Sequence, residues 1–153
     1  MKRFDELSTQ QLLAISYMTY LILCSIGLFL DVVFPIRAHI LYGNVIGIIC
    51  FIIAPALILW AQYSSGRFHI SLEKKEGVNF TFGPYRYMRN PTQFALIILI
   101  LGYTAIANSV ALCITSLISY YISNYFYMKH EFRLEKEYDG DYAEYKSKVK
   151  KYL

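Results

Sequence analysis

The chain has 153 residues, 56% of them hydrophobic and 17% aromatic, with a net charge of +4 and a mean hydropathy of +0.36. That length suits a single domain, but a charged share of 17% falls below the ~25% usual for soluble domains. Charge placement is more telling than charge content. No Asp, Glu, Lys or Arg occurs from Leu7 to Leu30, from Ala38 to Gly66 or from Asn90 to Met128. Since about 20 apolar residues cross a ~30 Å hydrocarbon core, this pattern describes an integral membrane protein. It excludes a soluble enzyme, a disulfide-stapled secreted domain and a disordered tail.

The first uncharged gap predicts a span over about 12–34, closing near Asp31 and Pro35. The second predicts a span over about 40–62, with Pro55 inside it to remove a backbone hydrogen bond and kink the helix. The third gap is too long for one span, because its 39 residues would make a helix of ~58 Å. A hairpin turning at Asn108-Ser109 resolves it into spans at about 92–107 and 110–128. The expectation is an all-α integral membrane fold, with four transmembrane helices in a single membrane domain over 1–153. A loop at 63–91 and an interfacial C-terminal helix at 129–153 complete it.

Fourteen of the fifteen cations then fall on one side, with Arg37 alone on the other. The positive-inside rule places both termini and the long loop in the cytoplasm. The N-terminal apolar stretch is longer than a signal-peptide core and no small-residue cleavage site follows it. Cys24, Cys50 and Cys113 all lie within expected spans and read as packing residues, so neither a disulfide nor a metal set is expected. The net charge suits anionic lipid headgroups and gives no case for nucleic acid. His39 and His69 lie in or near loops and receive no role.

Chemistry with a water-soluble cofactor belongs at the two cytoplasmic segments. The loop ends in Phe82-Gly83-Pro84-Tyr85-Arg86-Tyr87-Met88-Arg89-Asn90-Pro91. Gly83-Pro84 is turn chemistry, and Asn90-Pro91 reads as an N-cap followed by a first-turn proline. Arg86 and Arg89, three apart, would share one face of a helical turn beside that helix start. Such a place holds an anion, or simply anchors a helix end at lipid phosphates. In the tail, Tyr138, Tyr142, Tyr145, Val149 and Tyr152 are spaced 4, 3, 4 and 3, an aromatic stripe bordered by lysines that suits a membrane-surface anchor. His130 and Glu131 sit at the end of the fourth span, where an acid calls for a basic partner such as Arg86 or Arg89.

These residues resemble those of a known family. Gly83-x-Tyr85-x-x-x-Arg89-Asn90-Pro91 is similar to a motif of the isoprenylcysteine carboxyl methyltransferases, relatives of the membrane phospholipid N-methyltransferases. The tail resembles the same family's second block, with Leu134, Tyr142, Tyr145 and Val149 in register and His130-Glu131 on its Glu pair. The likeness covers about residues 77–152. It implies S-adenosylmethionine as methyl donor, held by Gly77, Val78, Asn79, Phe80, Tyr85, Asn90, Pro91, Thr92, Gln93, His130 and Glu131. Arg89, Glu131 and His130 become the expected catalytic residues and Arg86 a substrate contact. The implied acceptor is a lipophilic carboxylate, amine or hydroxyl entering sideways from the membrane. The chain departs from the family pattern at His130, Gln93 and Ala95, and Phe126 stands where the prenylcysteine enzymes carry an arginine. Two rival readings are an NADPH-dependent membrane reductase of the sterol-reductase type and a four-helix small transporter using Asp31.

Overall fold

The structure, a computed structural model, describes residues 9–73 and 80–152. It is all-α, with helices α1 (Thr9–Val33), α2 (Gly43–Glu73), α3 (Pro91–Ala107) and α4 (Val110–Lys148), and a 3-10 turn at Gly83–Arg86. Among the described residues there is no strand, only an isolated bridge between Arg37 and Ser109. Among the described residues two helices are long and apolar enough to cross a membrane, over Ala14–Val33 and Gly43–Ser65. The 17 residues of α3 are apolar but shorter.

The packing follows from side-chain size. Many buried positions are small or hydroxyl-bearing: Ser16, Ala54, Ala61, Ser64, Ala95, Thr104, Ser119 and Ser123. Most large apolar side chains point outward, with Leu21 at 65% and Phe29 and Ile52 at 67% exposure. In water such a surface would aggregate; in lipid it is the favoured arrangement, because small residues let helix backbones approach while bulky ones meet acyl chains. α1 packs along α4 and α2 along α3, whereas the consecutive α3 and α4 touch only sparsely. Between α2 and α3 the backbones approach closely at Gly47 and Gly102. A Cβ on Gly47 would lie 2.7 Å from the Gly102 carbonyl and one on Gly102 would lie 2.5 Å from Cys50 Cβ.

One end of the bundle is fastened by backbone and charge. Asn108 caps α3 in the left-handed region at φ 51°, and the Ser109 side chain accepts from Leu112 N–H at 3.2 Å to start α4. The α1–α2 connection is tied to this turn by Ala38 N–H to the Asn108 carbonyl (2.7 Å) and Val110 N–H to the Ile36 carbonyl (3.2 Å). Arg37 donates to the Ala107 carbonyl (2.8 Å) and pairs with Asp31 (3.1 Å). Asp31 is therefore not the uncompensated acid that a transporter reading requires. All three cysteines are free.

Two elements differ from expectation. Helix α2 passes through Pro55 and runs on to Glu73, into the stretch read as loop. The loss of apolar character after residue 62 marks where a span ends, while only backbone hydrogen bonding decides where a helix ends. Likewise α4 continues from span to tail without a break, so there is no separate interfacial helix. It does bend: Lys146 pairs with Glu135 at 2.9 Å, and Lys151 donates to Asn124 at 2.5 Å. On a straight helix positions 124 and 148 would stand ~36 Å apart. The bend turns the aromatic stripe inward. Tyr142, Tyr145 and Val149 are buried around Phe80, whose ring lies 5.2 Å from Tyr142 and 5.3 Å from Tyr145.

Replacing Gly47 by Val should wedge α2 from α3 and cost about 1–3 kcal/mol, the usual range for overpacking. A lowered midpoint of thermal unfolding in detergent would register it, and an unchanged midpoint would contradict the close approach.

Candidate active site

The end of the bundle opposite the hairpin gathers the polar residues. The segment after α2 re-enters through the turn at Gly83, which has φ +54° and sits so close to Ser64 that a Cβ would strike its hydroxyl. The chain then reaches Asn90, whose side chain accepts from Gln93 N–H at 3.4 Å, with Pro91 in the first turn of α3. Asn90 and Gln93 are also joined through their side chains. Gln93, 1% exposed, donates to Ser123 (3.2 Å) and accepts from the Tyr152 hydroxyl (3.1 Å). Ser123 in turn meets Ser16, so α1, α3, α4 and the segment after α4 share one buried polar chain.

Arg89 lies above this chain. Its Nη1 stands 3.2 Å from Glu131 Oε1, with the two side chains 11% and 8% exposed. The pairing is one of charge more than of alignment: Arg89 Nε and Nη1 and Glu131 Oε1 make no well-directed hydrogen bond. The backbone of Arg89 is held twice, by its N–H donating to the Lys150 carbonyl (3.0 Å) and by the Tyr127 hydroxyl donating to its carbonyl (3.1 Å). The Tyr145 hydroxyl donates to the Tyr85 carbonyl at 2.7 Å, clamping the preceding turn. Thr92 hydrogen-bonds the Tyr85 side chain.

Titration behaviour follows from burial. His130 stacks on Tyr127 at 5.7 Å between ring centroids, and its Nδ1 has no partner. Burial, aided by Arg133, pushes it down to about 4, so its ring is neutral. Burial first, and then the Glu131 carboxylate, raise the Tyr142 phenol. Burial first and then Tyr142 raise Tyr145, so both phenols stay protonated as donors.

Of the residues expected from the sequence, the structure brings together Phe80, Tyr85, Asn90, Pro91, Thr92, Gln93, Arg89, His130 and Glu131. Gly77, Val78 and Asn79 lie outside the described residues. Arg86 is exposed on the 3-10 turn and does not share a face with Arg89, because a four-residue turn is too short to align them as an α-helix would. Sequence reasoning missed Tyr127, Ser123, Asn124 and Lys151. They have no motif, although Ser119, Ser123 and Tyr127 sit at helical spacing within an apolar span and so hint at an inward polar face.

Below the polar chain, α3 and α4 leave a half-open cavity of about 310 Å³. Its lining includes Phe94, Ile97, Leu101, Leu117, Tyr120 and Tyr152, and it is almost wholly apolar.

A buried ion pair near an apolar groove, in a helical bundle with an aliphatic exterior, defines a membrane-associated protein. Residues 42–139, nearly two thirds of the chain, match the phospholipid methyltransferase family, and the chain belongs to that family. It is thus a membrane methyltransferase of the broad family; the match does not single out the isoprenylcysteine branch that the motifs resemble. No curated protein and no solved structure matches the chain.

Because His130 lies well below its ordinary 6.5 in the folded state, unfolded chain takes up the proton first as pH falls. Stability should be full above about pH 6.5 and decline toward pH 4. Unfolding midpoints across that range should show a steeper acid loss for the natural protein than for His130→Gln; identical slopes would contradict a buried neutral imidazole.

Proposed function

We propose that this protein transfers a methyl group from S-adenosylmethionine to an amine-bearing lipid at the cytoplasmic face of a membrane. In this reading four helices span the bilayer, with both termini cytoplasmic. The observation that carries it is the Arg89–Glu131 pair, buried yet with hydrogen-bonding capacity unfilled on both partners. A buried polar atom without a partner is costly, and a ligand carrying both a carboxylate and cationic centres would satisfy both ends. Arg89 Nε and Nη1 suit the methionine carboxylate. Glu131 suits a cationic centre, as do the faces of Tyr127 and Tyr142. Phe80, Tyr85, Asn90, Pro91, Thr92 and Gln93 frame the same space, and Gly77, Val78 and Asn79 are assigned to it from the family resemblance.

When bound, S-adenosylmethionine supplies a methyl group already activated by its sulfonium. The protein's task is then alignment and exclusion of water. The doubly fastened Arg89 backbone fixes where its guanidinium points. The Phe80–Tyr142–Tyr145 cluster covers the site from the aqueous side. An ammonium acceptor must lose a proton before it can attack. Burial holds His130 too weakly basic to take that proton, so it passes to water before the lipid is seated, and the unpartnered Nδ1 of neutral His130 is free to accept a hydrogen bond from the amine. The lipid reaches the site sideways along the groove between α3 and α4. Arg86, exposed beside it, meets headgroups at the surface.

Calorimetry on detergent-solubilised protein should detect S-adenosylmethionine binding, and Glu131→Ala should weaken it by at least a hundredfold. Membranes containing the protein, given donor labelled in the methyl group, should place label in the lipid fraction. Absence of donor binding by the natural protein would overturn the proposal.

A further inference from the structure

Three successive residues after α4 each reach a different element. The Lys150 carbonyl accepts from Arg89 N–H at 3.0 Å, just ahead of α3. Lys151 Nζ donates to Asn124 on α4, and the Tyr152 hydroxyl donates to Gln93 Oε1 on α3 at 3.1 Å. The segment is thus a strap drawn between α3 and α4, two helices that otherwise touch only sparsely. Its start is fixed as well, because Val149 is buried with Tyr142 and Tyr145 around Phe80.

The strap is fastened to Gln93, and the amide of Gln93 has one orientation. Its Nε2 donates to Ser123, while its Oε1 accepts from both Asn90 Nδ2 and the Tyr152 hydroxyl, which fills the two lone pairs of that oxygen. Asn90 Oδ1 in turn accepts from Gln93 N–H to start α3. Arg89 directly precedes this cap. The strap therefore grips it from two positions, through Lys150 on its own N–H and through Tyr152 on the cap that follows it. Burial first, and Tyr120 next, raise the Tyr152 phenol, so it stays protonated as the donor this contact requires. The same ring lies 6.3 Å from Phe94 and 6.4 Å from Tyr120 on the groove side, an apolar seat it would keep without its hydroxyl.

We propose that Tyr152 is a positioning residue for the methyl donor. Its hydroxyl on Gln93 latches the strap, and the latched strap holds the Arg89 main chain. That hold aims the guanidinium, whose Nη1 lies 3.2 Å from Glu131 Oε1. The proposal rests on the methyltransferase reading, in which Arg89 takes the donor's carboxylate. Tyr152 acts through Arg89, and its contribution is order more than attraction. A looser main chain would let the arginine sample positions that leave the buried Glu131 carboxylate unpaired, which a low-dielectric site penalises strongly. The Tyr127 hydroxyl would still hold the Arg89 carbonyl. Release of the latch therefore frees one side of the residue, and donor binding weakens without vanishing.

Amide hydrogen exchange resolved to single residues, on the purified full chain without donor, reads the latch directly at Arg89 N–H. Tyr152→Phe keeps the ring and removes the catch. It should speed exchange at Arg89 about fivefold, the equilibrium worth of one neutral hydrogen bond. The Leu112 N–H, which Ser109 holds at the opposite end of the bundle, should exchange as before. Calorimetry should then show S-adenosylmethionine bound about fivefold more weakly by Tyr152→Phe than by the natural protein. Unchanged exchange at Arg89 in Tyr152→Phe would overturn the proposal. So would an equal acceleration at Leu112, which marks a general loosening of the fold. Faster exchange at Arg89 with undiminished donor affinity would overturn it too, since the strap would then be a structural tie alone. Exchange is read without the donor, so failure of the latch is distinguishable from failure of the methyltransferase reading, which shows as no donor binding by the natural protein.

Discussion

Burying Arg89 against Glu131 removes two full charges from water, at a penalty of several kcal/mol per ion that mutual attraction offsets only when the geometry is held. Much of the surrounding structure does that holding. Glu131 comes from α4, while Arg89 comes from the short connection ahead of α3, and nothing in the helices themselves would keep them together. The Lys150 carbonyl and the Tyr127 hydroxyl fasten the Arg89 backbone from opposite sides. The first of these contacts exists only because α4 bends and returns its far end to the bundle. The inward aromatic stripe around Phe80 stabilises that return by burying ring area on a helix that would otherwise lie free.

The rest of the bundle leaves this assembly room to work. Two helix pairs, α1 with α4 and α2 with α3, are each packed through small residues, and they are joined chiefly at their ends. At one end Arg37 and the Asn108-Ser109 turn tie the connections together; at the other, the Gln93–Ser123–Ser16 chain does so. Between these ties the sparse contact of α3 with α4 opens the groove. Its lining is almost wholly apolar, and Tyr152 links it to the buried polar chain.

Where the helices start, the hairpin at Asn108 and the pairing of an arginine with Glu131 were legible because each depends on local rules. Charge gaps, an N-cap ahead of a proline and a lone acid at a span end all announce themselves. Arg89 rather than Arg86 as the partner was not legible, since one turn of 3-10 helix decides it. The fate of the tyrosine stripe was also hidden. Helical spacing shows that Tyr138, Tyr142, Tyr145 and Val149 share a face, but the same periodicity serves a membrane surface and a protein core. Phe80, the residue that settles the matter, is far away in sequence. Lys151 was obscured for a related reason: among several lysines in one stretch, only the bend of α4 selects the one that reaches Asn124.

The pairing of α1 with α4 also bears on how the molecule assembles. Helices α2 and α3 are near neighbours in the chain and meet as a simple antiparallel pair, closed by a short loop-entropy step. Helix α1 must wait for a partner about a hundred residues later. Until α4 is made the Ser16 hydroxyl lacks Ser123, while the aliphatic flanks of α1 are already of the kind that suits lipid. The α1–α4 contact can form only after α4 is made, and the tie between Arg89 and Lys150 only after the segment beyond α4 is made.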